Sequence, residues 1–594
     1  MTRTKTLLQS GGVLLLYLGL SLLLFAPAWA APTQRNIGYS TDPQQFMWFL
    51  SWTAFALGHH HSPLVSTYLD YPHGVNLMWN AALLWPGAFL APITSRLGPV
   101  FAYNLLETVA LPLSGWCAYL AIGRWTCRLS ATVGGLLYGF SPYMAAQALV
   151  HPPVVLAMTP PLVLLLLDEL LVRRRWPAAL TGAALGVVAA AQLLTWEELL
   201  ATTALMAGLA VVLLLALQRP RPSIGPLVAP AARGAVGTAI VFLLIAAAPL
   251  YTQFRGPQRI SGALHHGAPY VADLLSFVVP PSAQLLTPPW AARLNERLIA
   301  YPPEQNAYLG VPLLLLLVYI TARWRSVLIV RWAAVLTVAG AVLAMGPHLE
   351  VSGHITSIPL PWLLVARLPL MRYVNPCRLT VFSYLGAGLL LAFFLDRLRG
   401  RPPWRGLGGV AVVVVAFAPL IPLVPYPSTP KVVPAFFSAA VHRIPVGAVA
   451  LVAPYAGFTH GLTYSDAMLW QAAAGMRFRM PEGYAFVPYP SGNAEMRPPG
   501  SATQTAMFAV QVGGRAPALT VLLRRRIVQE LRGWTIQTVI VGPMSHQGEM
   551  LRLFRYVLQR APERVGGVYV WWRVGGGFSS ARPSQQGPFS QRAY

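Results

Sequence analysis

The sequence has 594 residues, of which 55% are hydrophobic and only 10% are charged, whereas soluble domains carry about 25% charged residues. Lysine and arginine number 43 against 18 aspartates and glutamates, which gives a net charge of +25. This composition excludes a soluble globular protein, and the long apolar runs exclude a membrane barrel, whose strands are short and alternate. The excess of arginine is explained by the enrichment of arginine in cytoplasmic loops of membrane proteins. Because the sequence also has no nucleic-acid motif, we expect membrane lipids and no nucleic acid as partners.

The first apolar run follows Arg3 and Lys5 and extends from Gly11 to Ala31. Its length is sufficient to span a bilayer, and we predict a retained first helix with the N-terminus in the cytoplasm. The sequence "PAWAAP" near its end also fits the Ala-x-Ala pattern of a signal-peptide cleavage site. Cleavage of residues 1–31 is therefore the alternative.

Arginine clusters fix the expected orientation of the later apolar runs, because cytoplasmic loops are enriched in arginine. The clusters cover residues 173–176, 218–221, 322–325 and 396–405. The predicted spans are 100–122, 130–148, 153–172, 178–195, 197–217, 234–254, 308–322, 326–346, 377–395 and 407–425. The proline-interrupted run 81–97 is expected to be interfacial, because an odd number of crossings must separate the first outer loop, 32–80, from Arg173. Together with the first helix the total is about eleven, and residues 255–303 form a second outer loop.

The composition changes after residue 426. Residues 427–574 mix charged residues with short β-rich runs at 449–454, 538–543 and 567–574, and the segment 519–532 has a helical pattern. This order predicts a small α/β domain, which the odd number of crossings places outside the cytoplasm. Residues 575–594 are rich in glycine, serine and glutamine and are predicted to be disordered. The predicted architecture is an α-helical polytopic membrane domain, 1–426, followed by this extracytoplasmic α/β domain.

Carboxylates are scarce in the membrane domain, and most fall on its predicted outer side. They include Asp42 after the first helix, Asp70, Glu197 and Glu304. Charge at a membrane edge is costly and is usually functional. A cleft with a carboxylate and several arginines would suit a charged amphiphile, because the carboxylate can take a proton from an attacking hydroxyl and guanidinium groups can hold a phosphate.

Arginines on the predicted outer side oppose the cytoplasmic bias and are therefore informative. Arg372 and Arg378 flank "YVNPC" in a segment that prolines at 369 and 376 interrupt. Such prolines are typical of broken backbone that lines a cavity. We predict that both arginines bind a substrate phosphate, and the alternative is that they extend to anionic lipid headgroups.

The layout of residues 1–425 resembles the GT-C superfamily, integral membrane glycosyltransferases that take sugars from polyprenyl-phosphate donors. The shared features are a long first helix, a large outer loop that opens with an acid, many further helices and an outer C-terminal domain. The resemblance is carried by "STDPQQFMWFLSW" (40–52), "SPLVSTYLDYPHGVNLMWN" (62–80), "SPYMAAQALVHPP" (141–153), "TWEELLATTAL" (195–205), "PPEQNAYLGVPLLLL" (302–316) and "RLPLMRYVNPCRLTVF" (367–382). It is strongest with bacterial members and implies a multi-pass protein of the plasma membrane that acts in the cell envelope.

By this resemblance, Asp42 corresponds to the acid of the first outer loop, which serves as general base toward the acceptor hydroxyl. Many members have two adjacent acids there, whereas Asp42 is followed by Pro43. This departure from the family pattern predicts no metal ligands, although it leaves open a divalent cation that uses a distant second acid. A structural alternative is that Asp42 caps the helix that starts at Pro43.

Five further residues are candidate substrate ligands, each with a structural alternative: Asp70, His151, Glu197, Glu304 and Asn306. Asp70 either orders a turn-rich loop or binds the acceptor, and His151 either packs at a helix turn or bonds to a phosphate or sugar. Glu197 either fills the first turn of a helix capped by Thr195 or joins the site of Asp42. Glu304 is either a first-turn acid or, with Asn306, binds sugar hydroxyls in a loop that covers the donor site in the family.

The resemblance implies a hexosyl- or pentosyltransferase that moves a sugar from a polyprenyl-phosphate donor to an extracytoplasmic glycan, lipid or protein acceptor. One alternative is a transporter or flippase for a lipid-linked or anionic envelope precursor. That alternative predicts inverted halves with similar patterns, which the sequence does not show. A non-catalytic scaffold in envelope assembly is the third hypothesis.

Overall fold

The computed structural model describes residues 3–40, 42–218, 225–262, 264, 270–299, 302–399 and 403–575. The chain divides into two compact units. The first comprises the chain up to Ser66, Val75–Val432 and Ala485–Met496, and the second comprises Thr67–Gly74, Val433–Tyr484 and the chain from Arg497. The domain limits predicted at 426, 427 and 574 remain predictions, and the predicted tail lies, apart from Gly575, outside the described residues.

Helices make up most of the first unit, and strands are concentrated in the second. The helices are α1 Arg3–Leu24, α2 Ala26–Trp29, α3 Pro43–Gly58, α4 Leu84–Leu97, α5 Pro99–Ile122, α6 Arg128–Gly139, α7 Pro142–Gln147, α8 Pro152–Val155, α9 Thr159–Leu167, α10 Ala178–Leu193, α11 Glu197–Leu217, α12 Gly225–Arg255, α13 Pro289–Asn295, α14 Val311–Arg323, α15 Leu328–Ala344, α16 Trp362–Val365, α17 Thr380–Leu398, α18 Pro403–Phe417, α19 Asp466–Ala473, α20 Ala502–Gly513, α21 Val521–Gly533 and α22 Gln547–Leu558. The strands are β1 Arg35–Ile37, β2 Val65–Ser66, β3 Val75–Asn76, β4 His348–Val351, β5 His354–Pro359, β6 Ser428–Pro430, β7 Ala448–Ala453, β8 Gly457–Thr459, β9 Leu462–Tyr464, β10 Phe478–Arg479, β11 Val487–Pro488, β12 Ala494–Glu495, β13 Ile536–Val541, β14 Glu563–Val565 and β15 Val568–Trp572.

Among the residues that the structure describes, five helical segments are long and apolar enough to cross a membrane. They are Pro99–Ile122, Pro152–Arg173, Glu197–Leu217, Gly225–Arg255 and Pro376–Leu398. Shorter apolar helices cover Leu8–Leu24, Ala178–Leu193, Val311–Arg323, Leu328–Ala344 and Leu407–Leu420. The helical membrane architecture is therefore confirmed, whereas the total of about eleven crossings remains a prediction.

Two segments differ from their predicted form. The span predicted at 130–148 is two helices, α6 and α7, because Pro142 lacks the N–H that a continuous helix needs. Ser141 starts the second helix by accepting a hydrogen bond from the N–H of Met144 at 3.3 Å. The outer loop predicted at 32–80 contains α3, a helix of 16 residues that is buried along almost its whole length.

Helix α17 lies at the centre of the first unit, since nearly all of its side chains are buried. Small residues allow close helix approach in membranes, and α17 meets α6 through a pair of glycines. A methyl group added to Gly134 would lie 2.5 Å from the carbonyl oxygen of Gly388, and one added to Gly388 would lie 2.6 Å from that of Gly134. This contact fixes the helix whose N-terminal turn carries Arg378.

The second unit has a five-stranded sheet with the order β10-β7-β13-β15-β14. β7 runs parallel to β10 and β13, and β15 runs antiparallel to β13 and β14. Helices α20, α21 and α22 supply apolar side chains to the buried core of this unit. The strands predicted at 449–454, 538–543 and 567–574 correspond to β7, β13 and β15, and the helix predicted at 519–532 corresponds to α21.

We expect Gly388→Val to lower the stability of the protein by about 1–3 kcal/mol, the usual cost of overpacking a core. The added side chain would collide with the backbone of α6. Thermal unfolding in detergent, followed by size-exclusion chromatography, measures the effect. Gly208→Val is the matched control, because nothing lies within 4 Å of a methyl group at that position of α11. Equal melting temperatures for the two variants would contradict the α6–α17 contact.

Candidate active site

A guanidinium group between two carboxylates forms the centre of the candidate site. Arg378 lies in the turn Pro376–Leu379, which leads into α17. Its Nη1 donates to Oε2 of Glu198 at 2.5 Å, and its Nη2 and Nε donate to Oε1 of Glu304 at 2.5 and 3.0 Å. The side chains are only 14%, 11% and 0% exposed, in the order Arg378, Glu198 and Glu304. Trp196 lies against the guanidinium at 5.0 Å, so this ion pair network is largely shielded from water.

Glu304 has several donors besides the guanidinium. The thiol of Cys377 donates to its Oε2 at 3.2 Å, and Nε2 of Gln147 donates to the same oxygen at 3.0 Å. Burial by itself would raise the pKa of the Glu304 carboxyl, but Arg378 and His151 outweigh burial and lower this pKa to about 2. Glu304 is therefore ionised at every physiological pH, in agreement with its role as an acceptor of all these hydrogen bonds.

The chain around Asn375 and Tyr270 closes one side of the network. The N–H of Asn375 donates to Oε1 of Glu198 at 2.8 Å, and Oδ1 of Asn375 accepts from the N–H of Tyr270 at 3.2 Å. Burial and the charge of Glu304 raise the pKa of the Tyr270 phenol, against the opposing charge of Arg378. A phenol that responds to these charges lies close to the site and stays protonated.

His151 connects Asp42 to this network. Its Nε2 lies 3.2 Å from Oδ2 of Asp42, and its Nδ1 lies 2.7 Å from Oε1 of Gln147 and 3.7 Å from Oε1 of Glu304. The side chains of His151 and Asp42 are 14% and 18% exposed. Asp42 and His151 are thus the partly accessible end of a chain of contacts whose other end, Glu304, is fully buried.

The backbone before Asp42 explains why it meets His151. Gly38 follows β1 with φ +82°, and its N–H donates to Pro427 while the N–H of Tyr39 donates to the carbonyl of Leu149. A methyl group at Gly38 would lie 2.0 Å from that carbonyl oxygen, so only glycine allows this approach. Asp42 stands at the N-cap of α3 without a side-chain capping bond, and the predicted capping role is therefore not observed.

The other predicted ligands lie outside this network. Asp70 belongs to the second unit, where burial raises the pKa of its carboxyl well above the usual range. Oε1 of Glu197 accepts from Nε2 of Gln253 at 3.4 Å. Asn306 is buried, and its amide donates to the carbonyl of Pro142 and accepts from the N–H of Tyr308. These contacts favour a structural role for Asn306, and its predicted binding of sugar hydroxyls remains untested.

The two predicted phosphate ligands differ in environment. Arg378 is held by two carboxylates, whereas Arg372 is exposed, lies 4.7 Å from the ring of Tyr373 and donates to its hydroxyl at 2.5 Å. A phosphate approaching Arg378 would meet more negative than positive charge in the network. The role predicted for Arg378 remains a prediction, and its contacts favour the organisation of Glu198 and Glu304.

Sequence reasoning missed Gln147 and Glu198 as members of the site. Gln147 precedes His151 by four residues, a spacing that brings side chains together on a helix turn, and this signal could have been used. Glu198 follows Glu197 in the first turn of α11, and its part in the site depends on closeness to distant residues, which the sequence does not give. The expected cap is not observed, because the hydroxyl of Thr195 donates to the carbonyl of Ala191.

The network contains groups that can take part in proton transfer. Within the described parts of the chain, no three histidine, cysteine, aspartate or glutamate side chains are arranged to hold a metal ion. Glu198 and Glu304 instead share the positive charge of Arg378. Asp42 with His151 can accept a proton from a hydroxyl group.

Comparisons with known proteins give a fold but no sequence relative. No family model and no curated protein matches the chain. It is similar to the arabinofuranosyltransferase AftD from Mycobacteria, with a TM-score of 0.51 and 16% identity, over 96% of this chain and 40% of AftD. It is also similar to the oligosaccharyltransferase of Archaeoglobus fulgidus (TM-score 0.45, 12% identity, 89% of this chain and 69% of the other). A third similar structure is ArnT from Cupriavidus metallidurans (TM-score 0.35, 13% identity, 96% and 97%).

At these identities the likeness concerns the fold. The chain spans 40% of the length of AftD, so nothing about the activity of that whole protein is carried over by the match. AftD is a GT-C glycosyltransferase, and the two matches with TM-scores under 0.5 add nothing to this comparison. The resemblance predicted from the sequence is therefore confirmed as a fold: this chain has the fold of the GT-C superfamily of membrane glycosyltransferases.

Proposed function

We propose that the protein is a glycosyltransferase that moves a sugar from a polyprenyl-phosphate donor to an extracytoplasmic glycan, lipid or protein acceptor. The observation that carries this proposal is the partly exposed carboxylate of Asp42, which His151 links to the buried network of Glu304 and Arg378. A partly accessible carboxylate of this kind can accept a proton from a hydroxyl group that lies within hydrogen-bond reach.

Asp42 is the proposed general base. In the transfer step, the acceptor oxygen forms a bond to the anomeric carbon of the sugar, and its proton moves to the carboxylate of Asp42. The bond between the anomeric carbon and the phosphate oxygen breaks, and its electron pair leaves with the polyprenyl phosphate. A base beside the attacking hydroxyl contributes about 10²–10⁴-fold to the rate of such reactions.

Arg372 is the proposed principal contact of the donor phosphate. Its guanidinium is exposed and is oriented by Tyr373, and it lies in the same short segment as Asn375, whose N–H binds Glu198. Arg378 would add its remaining N–H groups, but its main task in this proposal is to hold the two carboxylates. Asp70, Glu197 and Asn306 are not needed for the chemical step proposed here.

The proposed location is the plasma membrane of a bacterial cell. We infer about eleven crossings from the alternation of arginine-rich and arginine-poor loops. In this arrangement the N-terminus is cytoplasmic, and Asp42, the loop around Arg372 and the C-terminal α/β domain face outward. A lipid-linked donor in the outer leaflet would then reach the site from the membrane.

A transporter and a scaffold are the competing hypotheses. A flippase for a lipid-linked precursor would also use exposed arginines, but transport requires no base beside a hydroxyl group. A scaffold would require neither the exposed arginines nor the base. Direct measurement of sugar transfer therefore separates the three hypotheses.

We expect Asp42→Asn to reduce the rate of sugar transfer by about 10²–10⁴-fold, because the amide cannot accept the proton. The assay uses purified protein with a panel of radiolabelled polyprenyl-phosphate sugars and measures label in extracted envelope acceptors. Glu549→Gln is the matched control and should retain activity, because Glu549 is not a candidate ligand and its carboxylate binds Arg552 on the same helix, α22. Full activity of Asp42→Asn would rule out the base role.

We also propose that EDTA leaves the rate of sugar transfer unchanged, because the carboxylates of Glu198 and Glu304 are bound to Arg378.

We expect Arg372→Gln to raise the KM for the donor by about 10- to 100-fold, the loss that follows from removing a charge-assisted hydrogen bond to phosphate. The kcat should change much less, because Arg372 has no contact with Asp42 in this proposal. The same assay at varied donor concentration measures both constants. Arg367→Gln, another exposed arginine of the same segment, is the control. An unchanged KM for Arg372→Gln would remove this arginine from the donor site.

A further inference from the structure

The amide of Gln147 has a fixed orientation. Its Nε2 lies 3.1 Å from the carbonyl oxygen of Pro303 and 3.0 Å from Oε2 of Glu304. Both of these atoms are acceptors, and Glu304 is ionised, so the NH₂ group must face them. The carbonyl oxygen of the amide therefore faces Nδ1 of His151 at 2.7 Å.

This orientation determines which ring nitrogen of His151 carries a proton. An amide oxygen only accepts, so Nδ1 must donate to it. The other nitrogen, Nε2, lies 3.2 Å from Oδ2 of Asp42. Two lone pairs do not face each other at hydrogen-bond distance without cost, so one proton lies between Nε2 and Oδ2. If that proton is bonded to Nε2, the imidazole is a cation beside a carboxylate, and if it is bonded to Oδ2, both groups are neutral.

The surrounding charges favour that cation. The charged or titratable groups around the imidazole are Asp42 and Glu304 and, beyond Glu304, Arg378, Glu198, Tyr143 and Tyr270. Three of them are carboxylates and one is a guanidinium, so a second cation reduces the net negative charge of the group. Coulomb attraction at 3–4 Å is strong in a site with so little exposure to water.

We propose that His151 is a positioning residue for Asp42, held in its protonated form by the relay from Glu304 through Gln147. This inference rests on the proposed function, because it describes how the proposed base is oriented. The Nε2–H bond fixes Oδ2, which orients the carboxylate toward the acceptor hydroxyl. During transfer the acceptor proton moves to Asp42, and His151 keeps its own two protons.

The direct test is the protonation of the imidazole, which needs no substrate. Protein labelled with ¹⁵N in its histidine rings is reconstituted in nanodiscs, and the His151 signals are identified by their loss in His151→Gln. At neutral pH we expect both ring nitrogens of His151 to carry hydrogen in the unmodified protein. We expect Nε2 to lose its hydrogen in Asp42→Asn, since the neutral amide no longer stabilises the cation. A neutral His151 ring in the unmodified protein, or an unchanged spectrum in Asp42→Asn, would overturn the proposal.

Kinetics separate this inference from the proposed function. We expect His151→Phe to lower kcat by at least about tenfold with little change in the KM for the donor. His151→Gln should recover part of kcat, because an amide N–H can still reach Asp42. The control is His354→Phe, which replaces an exposed histidine and should leave kcat unchanged.

The possible outcomes are distinct. An inactive Asp42→Asn together with an unchanged kcat in His151→Phe would leave the proposed function standing and reject the positioning role. A fully active Asp42→Asn would reject the proposed base, whereas the spectrum would still report whether the proton is shared.

Discussion

The hydrogen-bonded pairing of one guanidinium with two carboxylates is the interaction on which the membrane unit depends most. Arg378, Glu198 and Glu304 lie far apart in the sequence and are almost inaccessible to solvent. A single charge in such surroundings costs several kcal/mol, so each of these three residues is tolerated only because the others are present. The network joins the N-terminal turns of α11 and α17 to the segment Pro302–Gln305. It therefore fixes three parts of the chain at the edge of the apolar helices.

The position of Asp42 follows from that constraint. Glu304 orients Gln147, Gln147 orients His151, and His151 meets Asp42. Each step is a hydrogen bond or an ion pair between side chains. These contacts connect Asp42 to the buried network of Arg378, Glu198 and Glu304. A catalytic group needs such a connection, because it must be held accurately in position.

Local patterns in the sequence predicted the helices well, because apolar length and period are properties of neighbouring residues. The strands β7, β13 and β15 were recognisable for the same reason. Scarcity of charge in an apolar chain also marked Asp42, His151, Glu304 and Arg378, and the structure brings these four together. Which side chains contact each other, however, depends on residues up to 180 positions apart. The positive charge of Arg378 therefore predicted a phosphate ligand, because the sequence does not show which carboxylates bind it. The start of a helix at Pro43 was part of the structural alternative for Asp42, but the burial of α3 was not predicted, because it arises from packing against distant parts of the chain.

The stability of variants that change Arg378 tests the central network most directly. In Arg378→Met, two buried carboxylates lose their shared cation, and we expect a loss of about 3–5 kcal/mol and a clear fall in melting temperature in detergent. The triple variant Glu198→Gln, Glu304→Gln and Arg378→Met removes all three charges and should recover much of that loss, because no unpaired charge remains. A melting temperature of Arg378→Met equal to that of the unmodified protein, or a triple variant less stable than the single one, would contradict the account.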